Sequence, residues 1–283
     1  MKVRLGSKWV GEDEPCFIVA DIGINANGSV EIAKKLITEA FNAGCDAVKF
    51  QKRYVDKVYT KEELDRPRES PFGSTNRDLK EGLEFDINDY REIDSFCKEL
   101  GIMWFASCWD KWSVDFIEKF DPPCYKIASP CLTDDNLLKY TNSKGRPIIL
   151  STGMSTLKEI EHAVSLLDNL IILHCTSTYP GKIEELNLNM IQTLRERFKY
   201  PIGFSGHEVG ISTTVAASVL GAKLIERHIT LDRSMWGTDQ SASVEPQGIE
   251  RIVRYIHTIE KAMGDGIKVV YPSEIPIKRK LRR

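Results

Sequence analysis

Short runs of apolar and β-branched residues alternate along this chain with longer segments of helical spacing. Eight such runs predict strands at 16–23, 46–51, 103–107, 124–129, 147–152, 169–175, 201–207 and 223–229. None of them alternates polar with apolar residues, as a strand in a one-sided sheet does. Near-continuous hydrophobicity is typical of parallel strands that are buried on both faces.

The segments between the strands carry apolar residues three and four positions apart, which indicates amphipathic helices. The first stripe begins at Ile32 and stops at Gly44, a typical helix end. Eight strand–helix units predict an α/β fold, a single-domain (β/α)8 TIM barrel over residues 1–283, with a core at about 15–265 and a short basic tail at 276–283. An open doubly wound sheet is the alternative, but the sequence GINANG replaces its glycine-rich phosphate turn.

Two polar stretches interrupt this pattern. Residues 52–87 and 230–246 each follow a predicted strand without a clear apolar stripe, and the first contains RPRESPFGSTN. Long loops inside a compact domain are often functional. We therefore expect both to cover the active face of the barrel.

Composition narrows the classes of partner. The formal net charge is -2, so no overall field favours nucleic acid or an anionic membrane, and we expect neither as a partner. The seven cysteines form no CxxC pair, and most lie in apolar runs, as small buried residues in a reducing compartment do. The amino terminus lacks a signal-like apolar core, and no run is long enough to span a bilayer. These features predict a cytoplasmic protein.

Polar side chains interrupt the carboxyl end of every predicted strand, where barrel enzymes hold their active sites. They are Asp21, Lys49, Gln51, Ser107, Lys126, Ser129, Ser151, Thr152, His174, Thr176, Ser205, His207, Glu226 and His228. Because an unpaired buried charge is expensive, such residues inside apolar runs indicate convergence on one functional mouth.

Two lysines and two histidines are the most informative members of this set. Lys49 and Lys126, with serines nearby, predict a site for phosphate or carboxylate, although a Schiff-base aldolase could also use such a lysine. His207 and His228 end neighbouring strands, so one metal ion could bridge them, with Glu226 on the same strand face as His228. Two protein ligands would leave open positions for water or substrate.

Other candidates carry less weight. His174 is expected to face the helix layer, and His162 and His257 fall on predicted helices. Asp239 and Ser241 in the last loop could bind a polyhydroxylated substrate, but solvated loop residues are the plainer interpretation. The same holds for the turn at Tyr179.

Several of these segments resemble the motifs of the sialic acid synthase family. VADIGINANGS resembles the family's first-strand motif, AVKFQK the second, YKIASP the fourth, ILSTGMST the fifth and LHCTSTYP the sixth. The stretch GFSGHEVGISTTVAASVLGAKLIERHITLDRSMWGTDQSASVEP resembles its closing signature. The likeness covers roughly residues 15–275.

The resemblance implies an enzyme that condenses phosphoenolpyruvate with an open-chain aldose, N-acetylmannosamine-like or its 6-phosphate, to form a sialic or other nonulosonic acid and phosphate. It implies a divalent metal, manganese or magnesium, at His207 and His228, with both histidines, Asp21 and Glu226 catalytic. The implied phosphoenolpyruvate ligands are Lys49, Ser107, Lys126, Ser129, Ser151 and Ser177. The implied sugar ligands are Gln51, Tyr179 and Asp239.

The chain departs from the family pattern near the sugar side. Asp21 stands where the family usually has Glu, Ala26 where it has His, and Ser107-Cys108-Trp109 where Thr-Pro-Phe is commoner. The sequence also stops before the antifreeze-like domain that family members usually carry. The resemblance therefore predicts a catalytic barrel alone and a homodimer. Without the usual lid, the enzyme could leave its site more open, recruit a separate lid protein, or use another sugar.

Two other functions stay open on the residues alone. One is a Schiff-base aldolase of similar fold that uses Lys126 or Lys49. The other is a non-catalytic barrel that binds sugars or anions, although the histidines, Glu226 and both lysines favour an enzyme.

Overall fold

The structure is a computed structural model, and it describes residues 1–282. Within these residues lie twelve strands: β1 (Lys2–Leu5), β2 (Lys8–Gly11), β3 (Phe17–Gly23), β4 (Ala47–Lys52), β5 (Pro67–Ser70), β6 (Gly73–Thr75), β7 (Met103–Cys108), β8 (Tyr125–Ile127), β9 (Ile148–Ser151), β10 (Leu170–Cys175), β11 (Ile202–Gly206) and β12 (Leu224–His228).

The α-helices of the same residues are α1 (Val30–Ala43), α2 (Val55–Val58), α3 (Lys61–Leu64), α4 (Asn76–Gly82), α5 (Ile87–Leu100), α6 (Lys111–Glu118), α7 (Asp135–Asn142), α8 (Leu157–Ser165), α9 (Met190–Arg197), α10 (Ser212–Val219), α11 (Pro246–Met263) and α12 (Ile275–Leu281). The helix α1 begins at an N-cap serine, Ser29, and ends at Gly44, whose φ of 87° suits glycine. The predicted stop at Gly44 is confirmed.

Eight parallel strands close into a barrel in the order β10-β11-β12-β3-β4-β7-β8-β9. The ring closes where β12 pairs with β3, with Leu224 opposite Phe17 and His228 opposite Asp21. All eight predicted strands are present, with ends within two residues of the prediction. The predicted (β/α)8 barrel is therefore confirmed.

Side chains alternate inward and outward along the barrel strands, and this alternation separates two apolar clusters. Outward residues such as Ile18 and Val48 pack against the helices in the larger cluster. Inward residues near the amino ends, such as Val19 and Ile149, form the smaller one. Inward positions near the carboxyl ends are polar, and they line the site described below.

A hairpin that was not predicted closes the amino end of the barrel. Strands β1 and β2 pair antiparallel, and Val3, Leu5 and Val10 join the inner apolar cluster. The turn at Gly6 lies against Met103, the first residue of β7. Each hairpin strand is only four residues long, so its pattern is too short to distinguish from a tail.

The prediction of one long loop at 52–87 was wrong. This segment contains α2, α3, α4 and the β5–β6 hairpin. Local capping stabilises these short elements: Thr75 and Asp78 form a capping box at the start of α4, and Thr60 caps α3. Such helices need no long apolar stripe, which explains why the pattern did not show them.

The second long loop, at 230–246, is confirmed apart from a short 3-10 turn at Gln240–Ala242. Asn25 anchors this loop because its amide donates to Ser243 Oγ at 2.7 Å. The predicted basic tail forms an exposed helix, α12, up to Leu281, and residue 283 lies outside the described residues. No helix among residues 1–282 is long and apolar enough to cross a membrane.

The hairpin should contribute measurably to stability. Leu5 is 1% exposed, so Leu5→Ala leaves a cavity at the barrel floor and should lower the free energy of unfolding by about 2–5 kcal/mol. Arg4→Ala, on the exposed side of the same strand, is the matched control and should cost about 0.5 kcal/mol or less. Urea denaturation measures both; equal effects would show that the hairpin is not part of the core.

Candidate active site

One cavity of about 300 Å³ opens at the carboxyl ends of the barrel strands. The thirteen residues to which the resemblance gives a role all line it: Asp21, Lys49, Gln51, Ser107, Lys126, Ser129, Ser151, Ser177, Tyr179, His207, Glu226, His228 and Asp239. Of the strand-end residues expected to converge, Thr152, His174 and Thr176 do not line it. The strand alternation explains the convergence of the thirteen, because each lies at an inward position or in the loop that follows. The expected common mouth is therefore present.

A buried ion network occupies the floor of this cavity. Lys49 Nζ lies 2.7 Å from Asp21 Oδ2 and 3.1 Å from Glu226 Oε1, and Lys126 Nζ lies 3.7 Å from the same Glu226 oxygen. Ser205 also donates a hydrogen bond to Glu226 Oε1 at 3.0 Å. The four charged side chains are at most 5% exposed, so each charge depends on the others for compensation.

The network sets the protonation of its members. Burial alone would lower the pKa of Lys49, but Asp21 and Glu226 raise it to about 12. Burial alone would raise the pKa of Glu226, but Lys126 and Lys49 lower it below its ordinary value. The pKa of Lys126 is lowered by burial, which Glu226 only partly offsets. Lys49 and Glu226 are therefore held as charged groups.

Hydroxyl groups surround Gly153 on one side of the cavity. Ser129 Oγ accepts a hydrogen bond from the Gly153 backbone N–H at 3.0 Å, and Lys126 donates to Ser151 Oγ. A Cβ at position 153 would lie 2.1 Å from Ser177 Oγ, so only glycine leaves room for these hydroxyls. Together with Lys126 they form a compact set of donors suited to an anion.

The two histidines face each other across the opposite side, with ring centroids 5.6 Å apart. His207 Nδ1 lies 2.8 Å from the Thr176 carbonyl, which can only accept, so Nδ1 carries the proton. The His207 Nε2 lone pair accepts from the Tyr179 hydroxyl at 3.1 Å. Burial, aided by His228, lowers the pKa of His207 to about 3, so this ring is neutral.

These residues fit a divalent cation with an incomplete protein ligand set. A neutral imidazole whose other nitrogen donates to a carbonyl is typical of a metal ligand. Three buried polar atoms beside it lack hydrogen-bond partners among residues 1–282: Asp21 Oδ1, Glu226 Oε2 and His228 Nδ1. No group of three or more His, Cys, Asp or Glu in that part of the chain is arranged to hold a metal ion, so a cation at the two histidines would need water or substrate as further ligands.

The positions of three further residues can be compared with what the sequence led us to expect. His174 faces outward and lies 2.7 Å from the Leu186 carbonyl, as expected, away from the cavity. Ser241 does not line the cavity, whereas Asp239 does. Ala26 was expected near the sugar side, but it is buried in the outer apolar cluster and does not line the cavity.

Sequence reasoning missed a group of lining residues near the end of β4. They are Arg53, Tyr59 and Lys80, and Trp109, which the sequence placed near the sugar side, lines the cavity with them. Arg53 follows the strand directly and could have been found from its position. Lys80 lies on α4, inside the segment taken as a loop, and its sequence neighbourhood carried no signal.

A second buried ion pair supports the histidines from outside the barrel. Arg227, next to His228, contacts Glu208, next to His207, at 3.0 Å, and both are at most 1% exposed. Arg227 also donates to the backbone carbonyls of Glu208 at 2.6 Å and Gly210 at 3.0 Å. These contacts bind the loop after β11 to β12. Charged residues at consecutive strand positions lie on opposite faces of the strand, so their presence in the sequence indicates such a pair on the outer face.

Comparisons with known proteins agree with this geometry. The NeuB family model matches residues 36–268. N-acetylneuraminate-9-phosphate synthase of Mus musculus is 40% identical over 97% of this chain and 78% of the relative, and N,N'-diacetyllegionaminic acid synthase of Legionella pneumophila is 35% identical over 98% and 82%. The crystal structure of N-acetylneuraminic acid synthetase from Leptospira borgpetersenii in complex with citrate is 30% identical, with a TM-score of 0.87 over 100% of this chain and 98% of that one.

The fold and the site thus define a barrel synthase, and the chain belongs to the NeuB family, the sialic acid synthases. It is an enzyme of the class that condenses phosphoenolpyruvate with a sugar. This membership favours the synthase over the Schiff-base aldolase and the non-catalytic barrel. A truncated 3-deoxy-D-arabino-heptulosonate 7-phosphate synthase from Thermotoga maritima, 13% identical with a TM-score of 0.73, shares the fold.

The Arg227–Glu208 pair should be costly to break from one side. Arg227→Met leaves Glu208 buried without its cation and should lower the free energy of unfolding by about 3–5 kcal/mol. The double variant Arg227→Met/Glu208→Gln removes both charges and should recover part of that loss. Denaturant unfolding of the single and double variants measures the difference; a single variant as stable as the wild type would contradict the role of the pair.

Proposed function

We propose that this enzyme condenses phosphoenolpyruvate with the open-chain form of an N-acetylmannosamine-like aldose, dependent on a divalent cation at His207 and His228. The observation that carries the proposal is one cavity with two chemically different sides: lysines and hydroxyls on one, and paired histidines on the other. A small dianion suits the first side, and a cation holding a carbonyl or hydroxyl oxygen suits the second.

On the anion side, Lys126, Ser129, Ser151 and Ser177 bind the phosphate and carboxylate of phosphoenolpyruvate, with Ser107 and Lys49 below them. Donors fixed by the strands around Gly153 orient the enol carbon toward the histidines. Such positioning removes much of the entropic cost of bringing two substrates together.

On the sugar side, Gln51, Tyr179 and Asp239 bind the hydroxyls and orient the aldehyde. A divalent cation, manganese or magnesium, supplies Lewis acidity toward that aldehyde when it is bound at the two histidines. The reaction joins C3 of phosphoenolpyruvate to C1 of the aldose, consumes one water at C2 and releases inorganic phosphate. Glu226 Oε2, which is buried without a partner among the described residues, accepts a proton from that water.

Charge balance supports the metal requirement. The two lysines of the floor are already compensated by Asp21 and Glu226, so the network itself carries no net charge. Phosphoenolpyruvate brings at least two negative charges into this buried site. Those charges would be offset by a divalent cation held at the neighbouring histidines, because opposite charges interact strongly where water is excluded.

We also propose that the enzyme is a homodimer in the cytoplasm and that a separate lid protein covers the mouth of the cavity. Met154 and Tyr179 line the cavity yet are 68% and 44% exposed, so apolar surface at its mouth is left for another polypeptide to cover. All seven cysteines are buried and free, which suits a reducing compartment.

A phosphate-release assay tests the function directly. We expect the enzyme to release phosphate from phosphoenolpyruvate only when a suitable aldose is present, with activity lost in EDTA and restored by manganese. The panel should contain N-acetylmannosamine, its 6-phosphate, mannose and other amino hexoses. Absence of phosphate release with every aldose would refute the condensation, and full activity in EDTA would refute the metal requirement.

Glu226→Gln tests the assigned proton acceptor. The amide retains the shape but cannot take a proton, so phosphate release should fall by about 100-fold or more. Binding of phosphoenolpyruvate should persist, because the change leaves Lys49 and Lys126 in place and removes a negative charge beside them. Calorimetric titration with phosphoenolpyruvate and single-turnover phosphate release separate the two effects; unchanged turnover would remove Glu226 from the mechanism.

A further inference from the structure

The turn after β3 carries the sequence GINANG, whose two asparagines the proposed chemistry does not use. Both contact the loop at 230–246, near the other end of the chain. The turn passes close to the site, because a Cβ on Gly23 would lie 3.1 Å from Gln51 Nε2 and 3.2 Å from His228 Cε1. The asparagines therefore join β3 to the loop that follows β12 beside the cavity.

Asn25 uses both of its amide hydrogens on this loop. It is 1% exposed, and its Nδ2 donates to the Ile229 carbonyl at 2.8 Å and to Ser243 Oγ at 2.7 Å. Its backbone carbonyl accepts from Gln240 Nε2 at 3.2 Å. Loss of the amide would leave buried polar groups of the loop without their donor, which is costly. Asn25 is thus a buried anchor for three separate points of the loop.

Ser243 extends this contact to Asp239. Its hydroxyl accepts from Asn25 and donates to the Asp239 backbone carbonyl at 2.7 Å. A hydroxyl has one hydrogen to donate, and Ser243 uses it on Asp239. Ser243 is 5% exposed and does not line the cavity. Asn25, Ser243 and the Asp239 carbonyl therefore form a continuous chain of hydrogen bonds, which we call the Asn25–Ser243 relay.

Asp239 depends on its backbone for its position. Its carboxylate lines the cavity, and its one side-chain hydrogen bond within residues 1–282 comes from the neighbouring Thr238 hydroxyl, at 2.7 Å. The carboxylate is close to Tyr179, because burial and then the charge of Asp239 raise the pKa of that phenol. A side chain held so lightly moves with its backbone, so the relay determines where the carboxylate lies.

The loop is also held on the other side of Asp239. Asn27 Nδ2 donates to the Trp236 carbonyl at 2.8 Å. Gly237 follows with a φ of 142°, and a Cβ there would lie 3.0 Å from Gln240 Cγ. The backbone is therefore held three residues before Asp239 and four residues after it, and both contacts come from the GINANG turn.

We infer that Asn25 is a positioning residue for the aldose: acting through Ser243, it fixes the Asp239 carboxylate and thereby sets the affinity for the sugar. This inference rests on the proposed function, since it takes Asp239 as a ligand of the aldose hydroxyls. Asn25 lies four residues after Asp21, so the relay also ties the sugar loop to the strand that carries part of the cavity floor.

Hydrogen exchange tests the relay without requiring turnover. Ser243→Ala removes the hydroxyl, so exchange of the amides at 236–243 should become about threefold faster or more, with the barrel strands unchanged. Ser234→Ala is the matched control, because Ser234 lies in the same loop, donates to Asp232 Oδ1 at 2.7 Å and does not line the cavity. It should leave exchange at 236–243 as in the wild type. Unchanged exchange there in Ser243→Ala would overturn the inference.

Steady-state constants distinguish positioning of the sugar from a general loss of stability. With the panel aldose that the wild type uses fastest, Ser243→Ala should raise the KM for the aldose about fivefold or more and leave the KM for phosphoenolpyruvate unchanged. Ser243→Thr keeps the hydroxyl, and the φ of -84° and ψ of 164° at this position suit a β-branched residue, so it should restore the wild-type KM. An equal rise in both KM values would overturn the inference.

A double variant tests whether the relay acts as one unit. Asn25→Leu has a similar shape but cannot donate, so it should also raise the KM for the aldose, with thermal melting measured alongside. If both residues act through Asp239, Asn25→Leu/Ser243→Ala should have the same KM for the aldose as Asn25→Leu alone. Additive effects would show that the two residues act separately and would overturn the relay.

These measurements separate the inference from the proposed function. If the wild type releases no phosphate with any aldose of the panel, the proposed reaction fails, and faster exchange confined to 236–243 in Ser243→Ala would still support the relay as the anchor of Asp239. Normal phosphate release, with the same KM for the aldose in Ser243→Ala as in the wild type, would uphold the reaction and overturn the inference.

Discussion

The contact of Lys49 with Asp21 and Glu226 is the constraint on which the rest of the site depends. An ammonium ion buried to this degree is tolerated only because two carboxylates lie 2.7 and 3.1 Å away. Those carboxylates come from β3 and β12, which are adjacent where the ring closes. The electrostatic compensation of the floor and the closure of the barrel therefore require each other.

Much of this arrangement could be predicted because burial and strand geometry act on local sequence. Polar residues inside apolar runs, such as Lys49 in AVKFQ and Glu226 in LIERH, must share an environment, and parallel strands bring their carboxyl ends to one mouth. From spacing alone, Lys126 could serve either an anion-binding site or a Schiff-base aldolase. Family membership, and not the geometry of the lysine, favours the first.

The remaining features depend on contacts between distant segments. Lys80 meets Tyr59 only because α4 packs against α2, which Tyr59 directly follows, and short helices held by local caps carry no long apolar stripe. Ala26 is the opposite case, because the sequence identified its motif but not the direction of its side chain. Its place in a motif suggested a contact with substrate, but the backbone after β3 turns its side chain into the core. Sequence position identified the motif, and only the fold identified the direction of each side chain.

Asp21 links the two ends of the cavity. Its Oδ2 atom lies 2.7 Å from Lys49 Nζ and 3.2 Å from His228 Nε2, so one carboxylate contacts both the anion side and the histidine side. Under the proposed function, a cation at the histidines would draw on the same negative charge that stabilises Lys49, and it would leave the lysine more available to an incoming anion. Binding at one side would then be coupled to binding at the other through a single side chain. The resemblance predicts the longer Glu at this position, and the close contacts on both sides show that the shorter acid reaches each partner.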